Sequence, residues 1–208
     1  MYRLILASAS PRRRELLAQA GYTFAVHPAH IPEDPLPNED PIAYVVRLAR
    51  AKAEAVLREI RDQGTEHRGQ GTEIGDPASH GALIVLGADT TVVLDDQILG
   101  KPVDADDASR MLRLLSGRTH RVITGVALAT EAGTELAAEV TAVRFLTLSD
   151  DEIAGYVATG EPMDKAGAYA IQGRAARWVP RVDGCYFNVV GLPLALVSTM
   201  LESMRAAS

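Results

Sequence analysis

The run Leu83-Ile84-Val85-Leu86-Gly87-Ala88-Asp89-Thr90-Thr91-Val92-Val93-Leu94 decides the architecture of the chain. Leu83 to Leu86 and Thr90 to Leu94 are unbroken apolar and β-branched stretches of strand length. They predict two strands with Gly87-Ala88-Asp89 between them and Asp95-Asp96-Gln97 as the turn that follows. The small residues at 87 and 88 let a ligand come close to the backbone. Asp89 is then expected at the end of a sheet, shielded from bulk water, where a carboxylate needs partners to offset its desolvation. Either turn amides supply those partners or the acid is there for chemistry. These residues alone leave both readings open.

Toward the N-terminus, Leu4 to Ala7 suits a short buried strand. Ser10-Pro11 marks a helix start, a capping hydroxyl followed by proline at the first helical position, and Gly21 closes a helix of about 11–20. Arg12, Arg13 and Arg14 fall in its first turn, where the helix end already carries positive partial charge. That placement favours a bound anion, and free N–H groups at a helix start suit phosphate. Three solvated arginines are the plain alternative. A proline-rich connection through His27, Pro28, Pro32, Pro35 and Pro37 leads to Asp40-Pro41, which opens a long helix. Its apolar stripe is Ile42, Val45, Val46, Ala49, Ala53, Val56, Leu57 and Ile60. Arg47, Arg50, Glu54, Arg58 and Arg61 take the opposite face, and Lys52 lies at the edge of the stripe. Residues 62–81 show no periodicity and read as a mobile surface loop, a simple insertion whose His67 and His80 lack metal-ligand spacing.

Toward the C-terminus, Asp104 caps a helix with Ala108, Met111, Leu112 and Leu115 on one face, ended by Ser116-Gly117. Strands are expected over about 119–130 and 136–148, paired as an antiparallel hairpin through Glu131-Ala132-Gly133-Thr134. Ser149-Asp150-Asp151-Glu152 is a capping box opening a short helix that stops near Gly160. Ala168 to Ile171 and Arg177 to Val182 read as strands, with Asp183-Gly184 as a turn. Pro193 begins a last helix with Leu194, Val197, Leu201 and Met204 inward. Helices alternating with strands and a hairpin predict an α/β fold on a mixed sheet.

The bulk composition narrows the function. The 208 residues are 47% hydrophobic, enough for a substantial core, and the formal net charge of −6 excludes general nucleic-acid binding through a basic surface. An acidic chain with a local basic cluster suits a small polyanion held in a cleft. The single Cys185 rules out an internal disulfide and fits a reducing cytosol. No apolar run approaches the ~20 residues of a membrane span, and Leu4 to Ala7 is shorter than the ~7–15 residues of a signal-peptide core. A soluble, cytoplasmic protein is expected. P-loop, dinucleotide-fingerprint and nucleophile-elbow strings are absent, and no Cys or His cluster suits zinc. Phosphate chemistry here would rely on Arg, Lys and a hard cation held by carboxylates. Lys101, between Gly100 and Pro102, returns from the turn toward the same sheet end as Asp89. The segment from Gly160 to Gly173 mixes acids, Lys165, glycines and Gln172, whose amide can both donate to and accept from a base edge.

Taken together, Ser8-Ala9-Ser10-Pro11-Arg12-Arg13, Gly87-Ala88-Asp89-Thr90, Gly100-Lys101-Pro102, Leu115-Ser116-Gly117, Asp164-Lys165-Ala166-Gly167 with Gln172-Gly173, and Val190-Gly191-Leu192-Pro193 resemble the ordered motifs of the Maf family of nucleoside triphosphate pyrophosphatases. The resemblance spans nearly the whole chain, the 62–81 loop being longer than usual. It implies a single catalytic domain with an elongated, inosine-triphosphatase-like α/β fold, a cleft between two lobes and a homodimer. It implies cleavage between the α and β phosphates of a nucleoside triphosphate, with a Mg²⁺ or Mn²⁺ cofactor. Asp89 matches the family's proton acceptor, with Lys52 and Lys101 beside it in the catalytic set. Arg12, Thr90 and Gln172 match positions tied to substrate choice, and Ser8, Ser10 and Arg13 match further substrate-binding positions. Glu33 and Asp89 would hold the cation, Asp34 being a neighbouring acid able to take the role of Glu33. Asp89-Thr90 and Ile171-Gln172-Gly173 look like the branch acting on dTTP and UTP, whereas the 7-methyl-GTP branch carries Asp-Gln and a Glu at these places. A 7-methyl-GTP pyrophosphatase and a non-catalytic nucleotide-binding regulator of cell division are the competing expectations.

Overall fold

The computed structural model describes residues 2–67 and 82–206. Among these residues seven strands form one mixed sheet: β1 (Arg3–Leu6), β2 (Phe24–Val26), β3 (Leu83–Leu94), β4 (Gln97–Leu99), β5 (Thr119–Thr130), β6 (Gly133–Arg144) and β7 (Arg181–Asp183). Their order is β2-β1-β3-β5-β6-β7, with β4 folded back on β3. β1 runs parallel to β2 and β3, and every other pairing is antiparallel. The α/β expectation and its mixed sheet hold. Among the described residues six α-helices flank it: α1 (Pro11–Gln19), α2 (Pro41–His67), α3 (Ala105–Leu115), α4 (Asp150–Val157), α5 (Tyr186–Val190) and α6 (Leu194–Ala206).

Alternation along the strands builds two unequal layers. Leu4, Leu6, Ile84, Leu86, Ala88, Val92, Val122, Val126 and Leu128 join the larger core beneath α1, α3, α4 and α6. Ile5, Val85, Val93, Ile123, Ala127 and Ala129 face the other way, onto α2. That helix presses directly on the sheet. A Cβ at Gly87 would fall 2.1 Å from the Ala49 carbonyl oxygen, and one at Gly125 would fall 2.4 Å from that of Val45. Both positions must be glycine for α2 to lie this close.

Several sequence expectations need correction. Leu83–Leu94 is one strand, because pairing with β5 runs unbroken from Val85↔Ala129 to Val93↔Arg121. Gly87 does not interrupt the strand but makes room for α2. Asp89 therefore sits in mid-strand rather than at a sheet end. It does lie past the end of β1, whose pairing stops at Leu6↔Leu86. The β5–β6 hairpin turns on Glu131-Ala132 alone, so β6 begins and ends earlier than expected. Ala168 to Ile171 forms no strand, and of Arg177 to Val182 only Arg181 and Val182 enter one, in β7. Side-chain oxygens capture backbone N–H groups of that region, Tyr156 taking Ala170 and Glu161 taking Arg174, and 3₁₀ turns replace a ladder. α2 continues through residue 67, so the start of the expected loop is helical, and the rest of it lies outside the described residues. β2 and α5 are too short for a periodic signal. α3 keeps its Asp104 cap and its expected buried face, and α4 its complete capping box.

The buried His120 of β5 meets Phe145 and Tyr169 edge-on, and its Nε2 lies 2.8 Å from the Tyr169 hydroxyl. Burial pushes this imidazole down to about 4 from its ordinary 6.5. The folded ring stays neutral in that interval while the unfolded ring takes up a proton, so stability falls as pH drops from 6.5 to about 4. The expected slope is at most about 1.4 kcal/mol per pH unit. Urea unfolding across this range should show it, and His120→Gln, which cannot titrate, should flatten it.

Candidate active site

A cleft of about 640 Å³ opens where β3 runs past the end of β1. Ser8, Ser10, Arg12, Arg13, Glu33, Lys52, Asp89, Thr90, Lys101 and Gln172 all line it. Segments far apart in the chain thus converge on one cavity of nucleotide size.

At its centre is a buried ammonium. Val45, Ala49, Lys52, Ala53 and Val56 form the buried stripe of α2, so Lys52 sits in the stripe and not at its edge. Its Nζ lies 2.6 Å from Asp89 Oδ1 and 2.6 Å from Glu33 Oε1. Lys52 is 7% exposed and Asp89 8%, so this pair is closed off from water, while Glu33 meets the same ammonium from the solvent side. Asp89 Oδ2 carries no hydrogen bond from the described residues. Glu33 is fixed through its backbone, whose carbonyl accepts the Tyr44 hydroxyl at 2.8 Å. Arg47 bonds the Asp34 carbonyl and pairs with Glu39, clamping the same segment. Burial pushes the Glu33 carboxyl up, but the hydrogen bond and charge of Lys52, with Lys101 and Arg13, bring it below the usual range. Burial, with Asp89 and Glu33 adding their charge, raises the Tyr44 phenol to about 12, so it remains a donor. The neighbouring acid Asp34 makes no ion pair with the described residues, and Glu33 is the carboxylate that meets Lys52.

The basic wall divides into held and free groups. Arg13 donates from Nε to the Gly191 carbonyl at 2.8 Å and from Nη1 to the Ala88 carbonyl at 2.9 Å. Nη1 also reaches Ser8 Oγ at 3.2 Å, and Nη2 reaches Thr90 Oγ1 at 2.9 Å. Burial pulls its pKa down, while Asp89 and Glu33 pull it back up. Arg13 is therefore a bolt between α1, β3 and the link from α5 to α6. Thr90 projects from the face of β3 opposite Asp89, its hydroxyl shared with Arg13 and Thr124. Ser10 caps α1 by accepting the Arg13 N–H, and Ser8 accepts the Ser10 N–H. Arg12, the exposed Lys101 and the exposed Gln172 make no side-chain hydrogen bond or ion pair with the described residues.

Lys165 is a cleft residue given no role from the sequence. It pairs with Asp164, and its Nζ reaches the Glu161 carbonyl at 3.5 Å. Its lysine-in-acids setting was visible, but not its position, because 3₁₀ turns carry no periodicity. Gly167 places this segment: at φ +68, its N–H donates to the Gly100 carbonyl while a Cβ would meet Val92 at 2.8 Å.

The donor set also bears on a metal. Among the described residues no group of three or more His, Cys, Asp or Glu side chains could enclose an ion. Glu33 and Asp89 meet on Lys52 Nζ, so they fit a cation only through the oxygens that Lys52 leaves open, with water and substrate phosphates completing its shell.

A family model described as Maf-like protein matches residues 3–204. A dTTP/UTP pyrophosphatase of Koribacter versatilis is 50% identical over 199 residues, covering 96% of this chain and 93% of that protein. One from Geobacter metallireducens is 52% identical over 206 residues, covering 98% and 97%. A third, from Aromatoleum aromaticum, is 48% identical over 210 residues, covering 97% and 95%.

The two arginines should separate in stability. Arg13→Ala is expected to lose about 3 kcal/mol in denaturant unfolding, because several charge-assisted bonds to buried acceptors vanish together. Arg12→Ala should stay within about 0.5 kcal/mol of the parent.

Proposed function

We propose that this chain, which belongs to the Maf family, hydrolyses dTTP and UTP to the nucleoside monophosphate and pyrophosphate. The single observation that carries the reading is Lys52 Nζ at 2.6 Å from both Asp89 and Glu33, at the mouth of an arginine-rich helix start. The names printed for the relatives supply the substrates.

The mechanism follows from charge and geometry. Arg12, Lys101 and the amide end of α1 receive the polyphosphate, whose charge would otherwise be repelled by the acidic chain. Lys52 holds Asp89 through Oδ1 and leaves Oδ2 free to orient a water at the α phosphorus. The water oxygen bonds to that phosphorus while Asp89 takes the proton. The bond to the α–β bridging oxygen breaks, and its electron pair leaves with pyrophosphate. A cationic wall stabilises both the developing charge and the leaving group. Glu33 and Asp89 would hold a Mg²⁺ or Mn²⁺, which when bound polarises the phosphate oxygens. Gln172 presents its amide to the pyrimidine edge, and Thr90 acts on substrate choice through Arg13.

The homodimer and the cytoplasmic location belong to this proposal too. Leu136 and Val140, 39% and 40% exposed on one face of β6, are apolar surface that a second copy would cover. No described helix is long and apolar enough to cross a membrane.

A turnover panel with product identification tests the reading. Pyrophosphate release should be fastest with dTTP and UTP, and slower with 7-methyl-GTP. Asp89→Asn should cut the rate by about 10²–10⁴-fold while unfolding stays cooperative. A chelator should stop turnover, and Mg²⁺ or Mn²⁺ should restore it. Tight nucleotide binding with no product over long incubation with Mn²⁺ would favour the regulator instead.

A further inference from the structure

Gln172 sits in a turn, residues 171–173, that belongs to no sheet ladder. Its flanks are tied by side chains from elsewhere. Before the turn, the Ala170 N–H donates to the Tyr156 hydroxyl at 3.1 Å. After it, the Arg174 N–H donates to both oxygens of Glu161, at 3.1 and 3.3 Å. The two anchors are themselves joined, because the Tyr156 hydroxyl donates to Glu161 Oε1 at 2.8 Å.

This brace is rooted in the core: Tyr156 is 1% exposed on α4 and meets Trp178 edge-on at 5.0 Å. Gly173 is part of it. A Cβ there would lie 2.0 Å from Glu161 Oε1, so the carboxylate fills the space a side chain would need. Ile171 is buried and Gly173 has no side chain, which leaves the Gln172 amide as the polar side chain the turn offers to the cleft. Selection of a base edge by hydrogen bonds requires that amide to be held within about 0.5 Å. An exposed turn without anchors does not do so.

We propose that Glu161, acting with Tyr156, is a positioning residue that sets Gln172 against the base and thereby sets the pyrimidine preference. This rests on the assignment of Gln172 made above. Glu161 touches no substrate; it acts through the backbone on either side of the selector.

The test compares Glu161→Ala, Glu161→Gln, Gly173→Ala and Gln172→Ala in the full chain, with Glu161→Ala also made in the Gln172→Ala background. Calorimetry reads binding of the non-hydrolysable α,β-methylene analogues of UTP and GTP, and turnover is read on UTP and GTP. Glu161→Ala and Gly173→Ala should each shrink the uracil-over-guanine ratio of Kd about tenfold, the scale of one well-placed hydrogen bond, with kcat on UTP little changed. Glu161→Gln, whose amide oxygen can accept both bonds, should keep the ratio. In the Gln172→Ala background, Glu161→Ala should add nothing. A ratio unmoved by Glu161→Ala overturns the proposal, as does a shift of equal size without Gln172. An unmodified protein that binds the analogues yet releases no pyrophosphate overturns the proposed reaction instead, and the ratio of Kd still decides the role of Glu161.

Discussion

A lysine ammonium held between two carboxylates, almost out of water, is the constraint around which the rest is arranged. Removing such charges from solvent costs several kcal/mol per ion unless the geometry is close and every partner is in place. The fold meets that demand with backbone contact. Gly87 and Gly125 let α2 lie on the sheet, which brings Lys52 down to Asp89 on β3. The same helix supplies Tyr44 and Arg47, which pin the proline-rich segment so that Glu33 closes the pair from the other side. α2 is at once one of the covering layers of the sheet and the organiser of the cleft.

The cleft divides its labour between regular and irregular structure. Of the groups proposed to handle phosphate, Arg12, Lys52 and Asp89 stand on α1, α2 and β3, while Lys101 and Glu33 come from the connections beside them. The group proposed to read the base stands on a 3₁₀ and turn segment held by side-chain to backbone bonds. Adjacent residues on one strand extend this division. Asp89 faces α2 and the ion pair, while Thr90 faces the Arg13 bolt.

Much of the fold was legible because its signals are local. Asp104, the Ser149–Glu152 box and the 3.6-residue stripe of α3 act within a few turns of chain and appear where expected, as does the α2 stripe except that Ile42 is 40% exposed and Lys52 joins the buried face. Signals that depend on distant partners misled. Gly87 reads as a break between strands, yet it is a contact point for a helix met only after folding. Ala168 to Ile171 has strand-like composition, yet Tyr156 claims its backbone donor. The gathering of Lys52, Glu33 and Asp89 could not be read from spacing, since 37 residues separate Lys52 from Asp89. It was implied only by the family resemblance.

The early end of β1 leaves the edge of β3 without a strand neighbour from Gly87 to Thr91, until β4 resumes pairing at Val92. A bare strand edge is a template for another chain to add onto. Arg13 inserts its guanidinium into that gap and occupies the Ala88 carbonyl, so a second polypeptide finds an acceptor already taken and a positive charge in its way. The side chain that fastens the cleft thus also closes an unpaired strand edge to further pairing.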